Sequence, residues 1–269
     1  MGISQYIKEI GRGARGARPL TREQSADLFG QVLDGTVTDL EIGGFCLAMR
    51  IKGETAEEMA GFLDATHARL QLIPASARPL IVLPSYNGAR KLPVLTPLLA
   101  LLLAREGLPV LVHGSASESS RVLASNVLAA LDVRRVVGLR NPGHSVVKLM
   151  RPTAGPCVVV ASYTHPAYAT VMGDTFALTG TTALLSRGLE GEVVSDPRRT
   201  AQIDGYVRGE RQELQAQQGG TLAEVPGLPT DIDIASTVHY TRRVLAGELP
   251  VPEAIATQVA HIRQLASHA

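Results

Sequence analysis

Three segments near the start of the chain carry apolar residues at helical spacing, and a threonine precedes each one. Thr21–Gln24, Thr38–Glu41 and Thr55–Glu58 are capping boxes, in which the threonine hydroxyl and the acid or amide side chain three residues later satisfy free N–H groups of a first helical turn. Apolar residues recur after each box at intervals of one turn. The pattern predicts a small all-helical domain over residues 1–72.

From residue 73 the pattern changes to short apolar runs that alternate with helical segments. Leu80–Leu83 and Leu108–Val112 are apolar runs typical of buried strands, and a Leu- and Ala-rich helix, Leu95–Glu106, lies between them. A strand, a helix and a strand in succession form a βαβ unit, whose strands are parallel. We predict an α/β domain with a mainly parallel sheet over residues 73–269.

The later elements follow from the same patterns. We predict two strands, Cys157–Ser162 and Thr182–Ser186, and an exposed polar stretch over Gln212–Gly220. Three further segments are predicted as helices: Arg121–Leu131, Ser236–Gly247 and Pro252–Ser267.

Candidate chemistry gathers where the strands of the βαβ unit end. In open parallel sheets, ligands bind at the carboxyl ends of the strands. The polar loop Ser85–Lys91 follows the first strand and the turn His113–Ser115 follows the second, so we expect them to lie side by side, with Arg90 and Lys91 making the rim cationic. His113 has no acid nearby in sequence to activate it, so we expect a structural residue.

The distribution of charge along the chain is more informative about binding partners than the net charge, which is only +1. Cations gather in Met1–Arg22 and in Arg134–Arg151, whereas acids concentrate in Glu23–Asp64. Local basic patches attract polyanions. The glycine- and arginine-rich segment 11–18 is predicted either as a solvated arm or as an arm that contacts anions.

The cysteine content and the lengths of the apolar runs limit which compartment and which kinds of site we expect. Cys46 and Cys157 both have apolar neighbours, so we expect buried free thiols, and two cysteines build neither a disulfide framework nor a zinc cluster. The chain has no signal-peptide pattern and no apolar run long enough for a membrane span. We expect a cytoplasmic protein with no membrane partner.

The helical segment also carries a resemblance. Gly35-Thr36-Val37-Thr38-Asp39 and the stretch Ala48–Gly61 resemble the N-terminal helical domain of the anthranilate phosphoribosyltransferase family, a glycosyltransferase family 3 fold shared with the pyrimidine nucleoside phosphorylases. The arm Ile7–Gly13 and the loop Pro84–Lys91 more closely resemble its divergent YbiB-like branch. For that branch the resemblance implies nucleic-acid binding by a homodimer. The stripes Ile3–Ile10 and Ile42–Met49 are candidates for the dimer contact, although burial within the helical domain explains them equally well.

Most catalytic motifs of the resembled family are substituted. The glycine-rich diphosphate loop becomes Pro84–Lys91, in which only Gly88 matches and Tyr86 adds bulk. The Asn-x-Ser-Thr segment becomes Pro93–Thr96, in which only Thr96 matches. Val112 replaces the phosphate-facing lysine.

The metal and substrate positions are partly retained. The acidic pair that holds magnesium in the family aligns with Gly191-Glu192, and a lone carboxylate is a weak Mg²⁺ ligand. We expect Glu192 to be a solvated loop acid, and it is only a weak candidate for a metal ligand. Arg140 matches the arginine that faces the aromatic substrate. The joint at Val133-Arg134 is abrupt, because relatives usually have several tens of residues there.

These observations favour weakly sequence-specific nucleic-acid binding, to DNA first, through a basic inherited phosphate-binding cleft, with no cofactor and no catalytic residue. The candidate contacts are Lys8, Arg12, Arg15, Ser85, Asn87, Gly88, Arg90, Lys91, Thr96, His113, Gly114, Ser115, Arg140 and Lys148. The alternative is a transferase that uses phosphoribosyl diphosphate and Mg²⁺ on an aromatic or nucleobase substrate. A dimeric scaffold that binds neither ligand is the third possibility.

Overall fold

The computed structural model describes residues 2–13, 15–115, 121–131, 137–138 and 146–269. Its N-terminal part is helical, with α1 (Ser4–Ile10), α2 (Arg22–Leu33), α3 (Asp39–Lys52) and α4 (Ala56–His67). The three longer helices begin at the predicted capping boxes. The hydroxyl groups of Thr21, Thr38 and Thr55 each accept the backbone N–H of the third helical residue, and the threonine backbone N–H donates to the side chain of that residue.

The rest of the described chain forms one sheet flanked by helices. The strands are β1 (Leu80–Ser85), β2 (Val110–Gly114), β3 (Val137–Gly138), β4 (Cys157–Ser162), β5 (Ala183–Ser186), β6 (Ile203–Val207) and β7 (Glu210–Gln215). The helices are α5 (Thr96–Arg105), α6 (Ala124–Ala130), α7 (Pro166–Thr179), α8 (Ile234–Leu245) and α9 (Glu253–Ala266). The strand order is β3-β2-β1-β4-β5-β6-β7; β1 to β5 are parallel, and β6 and β7 pair antiparallel. The predicted fold class is confirmed.

Both faces of the sheet are covered. Along β1, Val82 lies in the core shared with the helical bundle and α7, whereas Ile81 and Leu83 lie in the core beneath α5 and α9. Strands buried on both faces have continuous apolar runs, as the sequence shows. The helical bundle therefore sits on one face of the sheet, where α4 packs against α7.

Several local predictions need correction. The polar stretch Gln212–Gly220 is largely exposed, as predicted, but its first part belongs to the edge strand β7, which pairs with β6 through a turn at Arg208-Gly209, both with positive φ. An edge strand with one solvated face needs few apolar residues, and this hid it. Helix α6 begins at Ala124 rather than Arg121, where the Asn126 side chain accepts the Leu123 N–H.

The two cysteines differ in burial. Cys157 is buried as predicted, but Cys46 is exposed, because α3 buries Phe45 and Met49 and turns Cys46 outward. No described helix has the length and apolar character needed to cross a membrane. The joint at Val133-Arg134 lies outside the described residues.

Candidate functional site

The carboxyl ends of four parallel strands define the candidate site. Ser85 of β1 lies beside Gly114 of β2, and Ser162 of β4 lies beside Ser186 of β5. A Cβ on Gly114 would lie 1.7 Å from the Ser85 carbonyl oxygen, so this position needs glycine. The β1–α5 loop and the His113–Ser115 turn thus lie side by side, as the βαβ pattern predicts.

Glu192 occupies the centre of this edge. Its Oε1 accepts the backbone N–H groups of Asn87 and Gly88, each at 2.8 Å. Its Oε2 accepts the hydroxyl of Thr96 at 2.7 Å and also that of Ser85. Glu192 is only 2% exposed, so the prediction of a solvated loop acid is wrong: four donors compensate for the burial of its charge.

Glu190 satisfies the next part of the same loop. Its carboxylate accepts the backbone N–H groups of Arg90 at 2.7 Å and Lys91 at 3.0 Å. The Gly191 carbonyl between the two acids accepts the Asn87 amide at 2.6 Å and the Ser162 hydroxyl at 2.9 Å. The turn Leu189–Glu192, called the internal anion plug below, therefore occupies these backbone donors, and backbone N–H groups of this kind can bind phosphates.

The plugged loop is also anchored from its other side. The N–H of Ala89 donates to the Val122 carbonyl at 2.9 Å, and the Arg121 guanidinium donates to the Asn87 carbonyl at 3.0 Å. Gly88 has φ +67°, and a Cβ there would lie 2.8 Å from the Val122 oxygen. The loop retains one glycine because close approach and a left-handed conformation coincide at that residue.

Tyr86 and His113 form a buried pair beneath the loop. The Tyr86 hydroxyl lies 3.0 Å from His113 Nδ1, and the rings meet edge to face with centroids 5.6 Å apart. Burial lowers the pKa of His113 to about 4 and raises the pKa of Tyr86 to about 12. Both side chains are neutral near pH 7, which suits the structural role expected of His113.

This pair predicts a pH-dependent stability. Burial depresses the folded-state pKa of His113, so the neutral side chain contributes fully to the stability of the fold above pH 6.5. This contribution is lost as pH falls through about 4, which lowers the free energy of unfolding by at most about 3 kcal/mol. We expect the free energy of unfolding of the wild-type protein to fall more steeply between pH 6.5 and 4 than that of His113→Gln. Urea titrations across this range measure both proteins, and parallel curves would contradict the assignment.

Five of the predicted cations lie in two separate segments of the chain. Lys8, Arg12 and Arg15 are exposed on α1 and the segment after it, and Arg12 pairs with Glu9. Arg90 and Lys91 are exposed in the β1–α5 loop, and their side chains contact no acid among the described residues.

Most of the other residues predicted to contact a ligand form bonds within the protein. Hydrogen bonds to the plug are formed by Ser85, Asn87, Gly88 and Thr96. His113 is buried with Tyr86. Gly114 touches Ser85, and the Ser115 carbonyl accepts a bond from Ser125. Arg140 lies outside the described residues. Sequence patterns missed Glu190, although its place two residues before Glu192 was a usable signal.

A cleft of about 430 Å³ opens between the helical bundle and the carboxyl end of β4. Arg50 and Met59 line it from the bundle, and Lys148, Tyr163 and Tyr168 line it from the sheet side. Of these residues, sequence analysis had selected only Lys148, since the others come from segments far apart in the chain.

The residues do not suit the magnesium ion implied by the resemblance. Both bonds to Glu192 Oε1 come from backbone N–H groups, which cannot become metal ligands. Within the described ranges, no three His, Cys, Asp or Glu residues lie close enough to hold a metal ion. The carboxylate that would bind the metal instead accepts hydrogen bonds from the β1–α5 loop and from Thr96.

Comparisons with known proteins agree with this architecture. Residues 4–69 match the glycosyl transferase family, helical bundle domain. The chain is 37% identical to YbiB of Escherichia coli strain K12 over 299 aligned residues, covering 97% of this chain and 93% of YbiB. The alignment exceeds the 269 residues of the chain, in keeping with the expectation that relatives carry additional residues.

Enzymes of the same fold match less completely. The chain is 35% identical to the anthranilate phosphoribosyltransferase of Beijerinckia indica over 141 residues, which span 52% of this chain and 40% of the enzyme. The Thermus thermophilus anthranilate phosphoribosyltransferase structure superposes with a TM-score of 0.69 at 18% identity, covering 99% of this chain and 88% of that one. The Saccharomyces cerevisiae enzyme, solved with PRPP and Mg, gives a TM-score of 0.68 at 14% identity and covers 98% and 88% of the two chains.

Proposed function

The chain belongs to the anthranilate phosphoribosyltransferase-like glycosyl transferase family 3, in its YbiB branch, and from this premise we propose that it binds nucleic acid through the phosphate backbone without transferring a phosphoribosyl group. The internal anion plug is the observation that carries the proposal. Glu190 and Glu192 hold the backbone donors of Asn87, Gly88, Arg90 and Lys91, so a diphosphate entering this loop would meet two carboxylates instead of free N–H groups.

The exposed side chains of the same loop support the positive half of the proposal. The plug takes the backbone N–H groups of Arg90 and Lys91 but leaves their charged side chains in solvent, without an acidic partner among the described residues. Contacts from such side chains to phosphates carry little sequence information and weaken steeply with salt. Lys8, Arg12 and Arg15 add a second basic segment.

The second candidate is a phosphoribosyltransferase acting on an aromatic or nucleobase substrate. The relatives named as anthranilate phosphoribosyltransferases and the PRPP- and Mg-bound yeast structure favour it, and the 430 Å³ cleft has room for a small substrate. The bonding of Glu192 opposes it, because both the metal site and the diphosphate loop would have to be rebuilt.

Isothermal titration calorimetry separates the two candidates. One titration uses phosphoribosyl diphosphate with Mg²⁺, and the other uses a 20-nucleotide DNA strand at low salt. We expect heat of binding only with DNA. Binding of phosphoribosyl diphosphate that depends on Mg²⁺ would favour the transferase, and the absence of both signals would leave a scaffold.

We further propose that two copies associate through the outer face of α3. Leu40, Leu47 and Ile51 are 86%, 63% and 60% exposed and form one stripe along the helix. Beside them a Cβ on Gly43 would have open space, which permits close approach of a partner helix. The stripes Ile3–Ile10 and Ile42–Met49 are largely buried inside the helical bundle, so the proposed contact uses the opposite side of α3.

A charge placed in the stripe tests this contact. We expect Leu47→Asp to shift the protein from dimer to monomer, because the carboxylate would lose its hydration in an apolar interface. Leu222→Asp is the matched control, since Leu222 is 58% exposed and lies far along the chain from α3. Sedimentation equilibrium measures both, and a wild-type monomer, or a dimeric Leu47→Asp variant, would contradict the proposal.

A further inference from the structure

The cleft between the helical bundle and the sheet contains a cationic group, Lys148, that has no bonding partner among the described residues. The ammonium of Lys148 forms no hydrogen bond or ion pair with any residue that the structure describes, although the side chain is half-buried. Burial lowers its pKa, with an opposing effect from Glu192 and a reinforcing one from Arg90. An ammonium group has three hydrogen-bond donors, so Lys148 offers donors to a ligand in the cleft.

The walls of the cleft suit a flat, largely apolar group. Met59 and Met172 supply polarizable apolar surface, and Tyr163 and Tyr168 supply aromatic faces. Tyr163 is half-buried, whereas Tyr168 is 42% exposed at the opening. Thioether and aromatic surfaces favour stacking with planar rings.

The lining of the cleft carries two cations, Arg50 and Lys148, and one acid, Glu54. Arg50 lies exposed on the bundle side, at the end of α3. Arg90, which is exposed in the β1–α5 loop and does not line the cleft, is a further cation whose charge contributes to the lowered pKa of Lys148. A ligand with a planar ring inside the cleft would meet the aromatic walls and Lys148, and negative charge outside the ring would meet Arg50 if it lies away from Glu54.

We infer that the cleft receives one unstacked base of a single-stranded nucleic acid, while Arg50 and Arg90 contact the flanking phosphates. This inference rests on the proposed function and names the class of nucleic acid. A base held on tyrosine and methionine surfaces, with the Lys148 ammonium donating to its polar edge, adds affinity beyond that of the backbone charges. Duplex DNA gains this contribution only after unpairing a base.

A comparison of strands with and without bases tests the inference. Fluorescence anisotropy would measure the binding of a labelled 12-nucleotide thymidine strand and of a strand with the same phosphates but abasic sugars. We expect the thymidine strand to bind about tenfold more tightly, as one stacked base predicts. Equal binding of both strands would overturn the inference and leave the proposed function intact, whereas no binding of either would refute both.

A cleft-filling variant locates the effect. Ala167 lines the cleft from the exposed side of α7, so Ala167→Phe fills space without removing a charge. Thr170→Phe is the matched control, because Thr170 is exposed on the same helix outside the cleft. We expect Ala167→Phe to reduce thymidine-strand affinity to that of the abasic strand, and Thr170→Phe to preserve the difference. An unchanged preference in Ala167→Phe would show that no base enters the cleft.

Discussion

Replacing Glu192 with alanine is expected to lower the free energy of unfolding by about 3–5 kcal/mol. The change leaves four donors, three of them buried and one half-buried, without their acceptor: two backbone N–H groups and the hydroxyls of Ser85 and Thr96. Each unsatisfied buried donor costs about 1–3 kcal/mol, less what water entering the gap recovers. Urea denaturation measures the change, and Glu248→Ala, at an exposed acid, is the control.

The same variant should expose the anion-binding capacity of the loop. With the Glu192 carboxylate removed, the N–H groups of Asn87 and Gly88 would be free to bind inorganic phosphate. We expect phosphate to raise the melting temperature of Glu192→Ala more than that of the wild-type protein or Glu248→Ala at equal ionic strength. A variant as stable as the wild type and indifferent to phosphate would contradict the view that Glu192 plugs an inherited phosphate site.

The second large effect is expected from the double variant Arg90→Ala/Lys91→Ala. Removing two phosphate contacts should weaken nucleic-acid binding about tenfold or more at low salt and make the slope of log affinity against log salt shallower by about 2. The fold should be unaffected, because the plug bonds the backbone N–H groups of these residues and not their side chains.

The pair Arg242→Ala/Arg243→Ala provides a matched control. It removes the same charge from adjacent residues in the last turn of α8, a helix that contacts α6 and contributes no bond to the plug among the described residues. Similar losses in both double variants would show that net charge, not the β1–α5 loop, governs binding.

The sequence contains strong local signals for the helical bundle and the βαβ unit. Each capping box specifies both partners of its bonds within four residues, and the apolar runs of β1 and β4 carry their own burial pattern. The apolar pattern does not predict strand β7, because this edge strand is stabilised by pairing with β6 and needs little apolar surface. The outward side of α3 was also hidden, since that helix carries apolar residues around most of its circumference.

The candidate site was predictable only as a location. The order of strands and loops placed the Ser85–Lys91 loop beside the His113–Ser115 turn, because that juxtaposition follows from parallel pairing. The plug could not be deduced, since Glu190 and Glu192 lie about a hundred residues along the chain from the donors that they satisfy. A carboxylate in a polar turn has the same sequence signature whether it faces solvent or the inside of a loop.

The central claim is that this scaffold contacts the nucleic-acid backbone through exposed cations. Fluorescence anisotropy of a labelled duplex with the wild-type protein, across a salt series from 50 to about 400 mM, tests it most directly. With about five phosphates engaged, log affinity should fall against log salt with a slope of about −4 to −5. A slope near zero, or no binding at the lowest salt concentration, would contradict the claim.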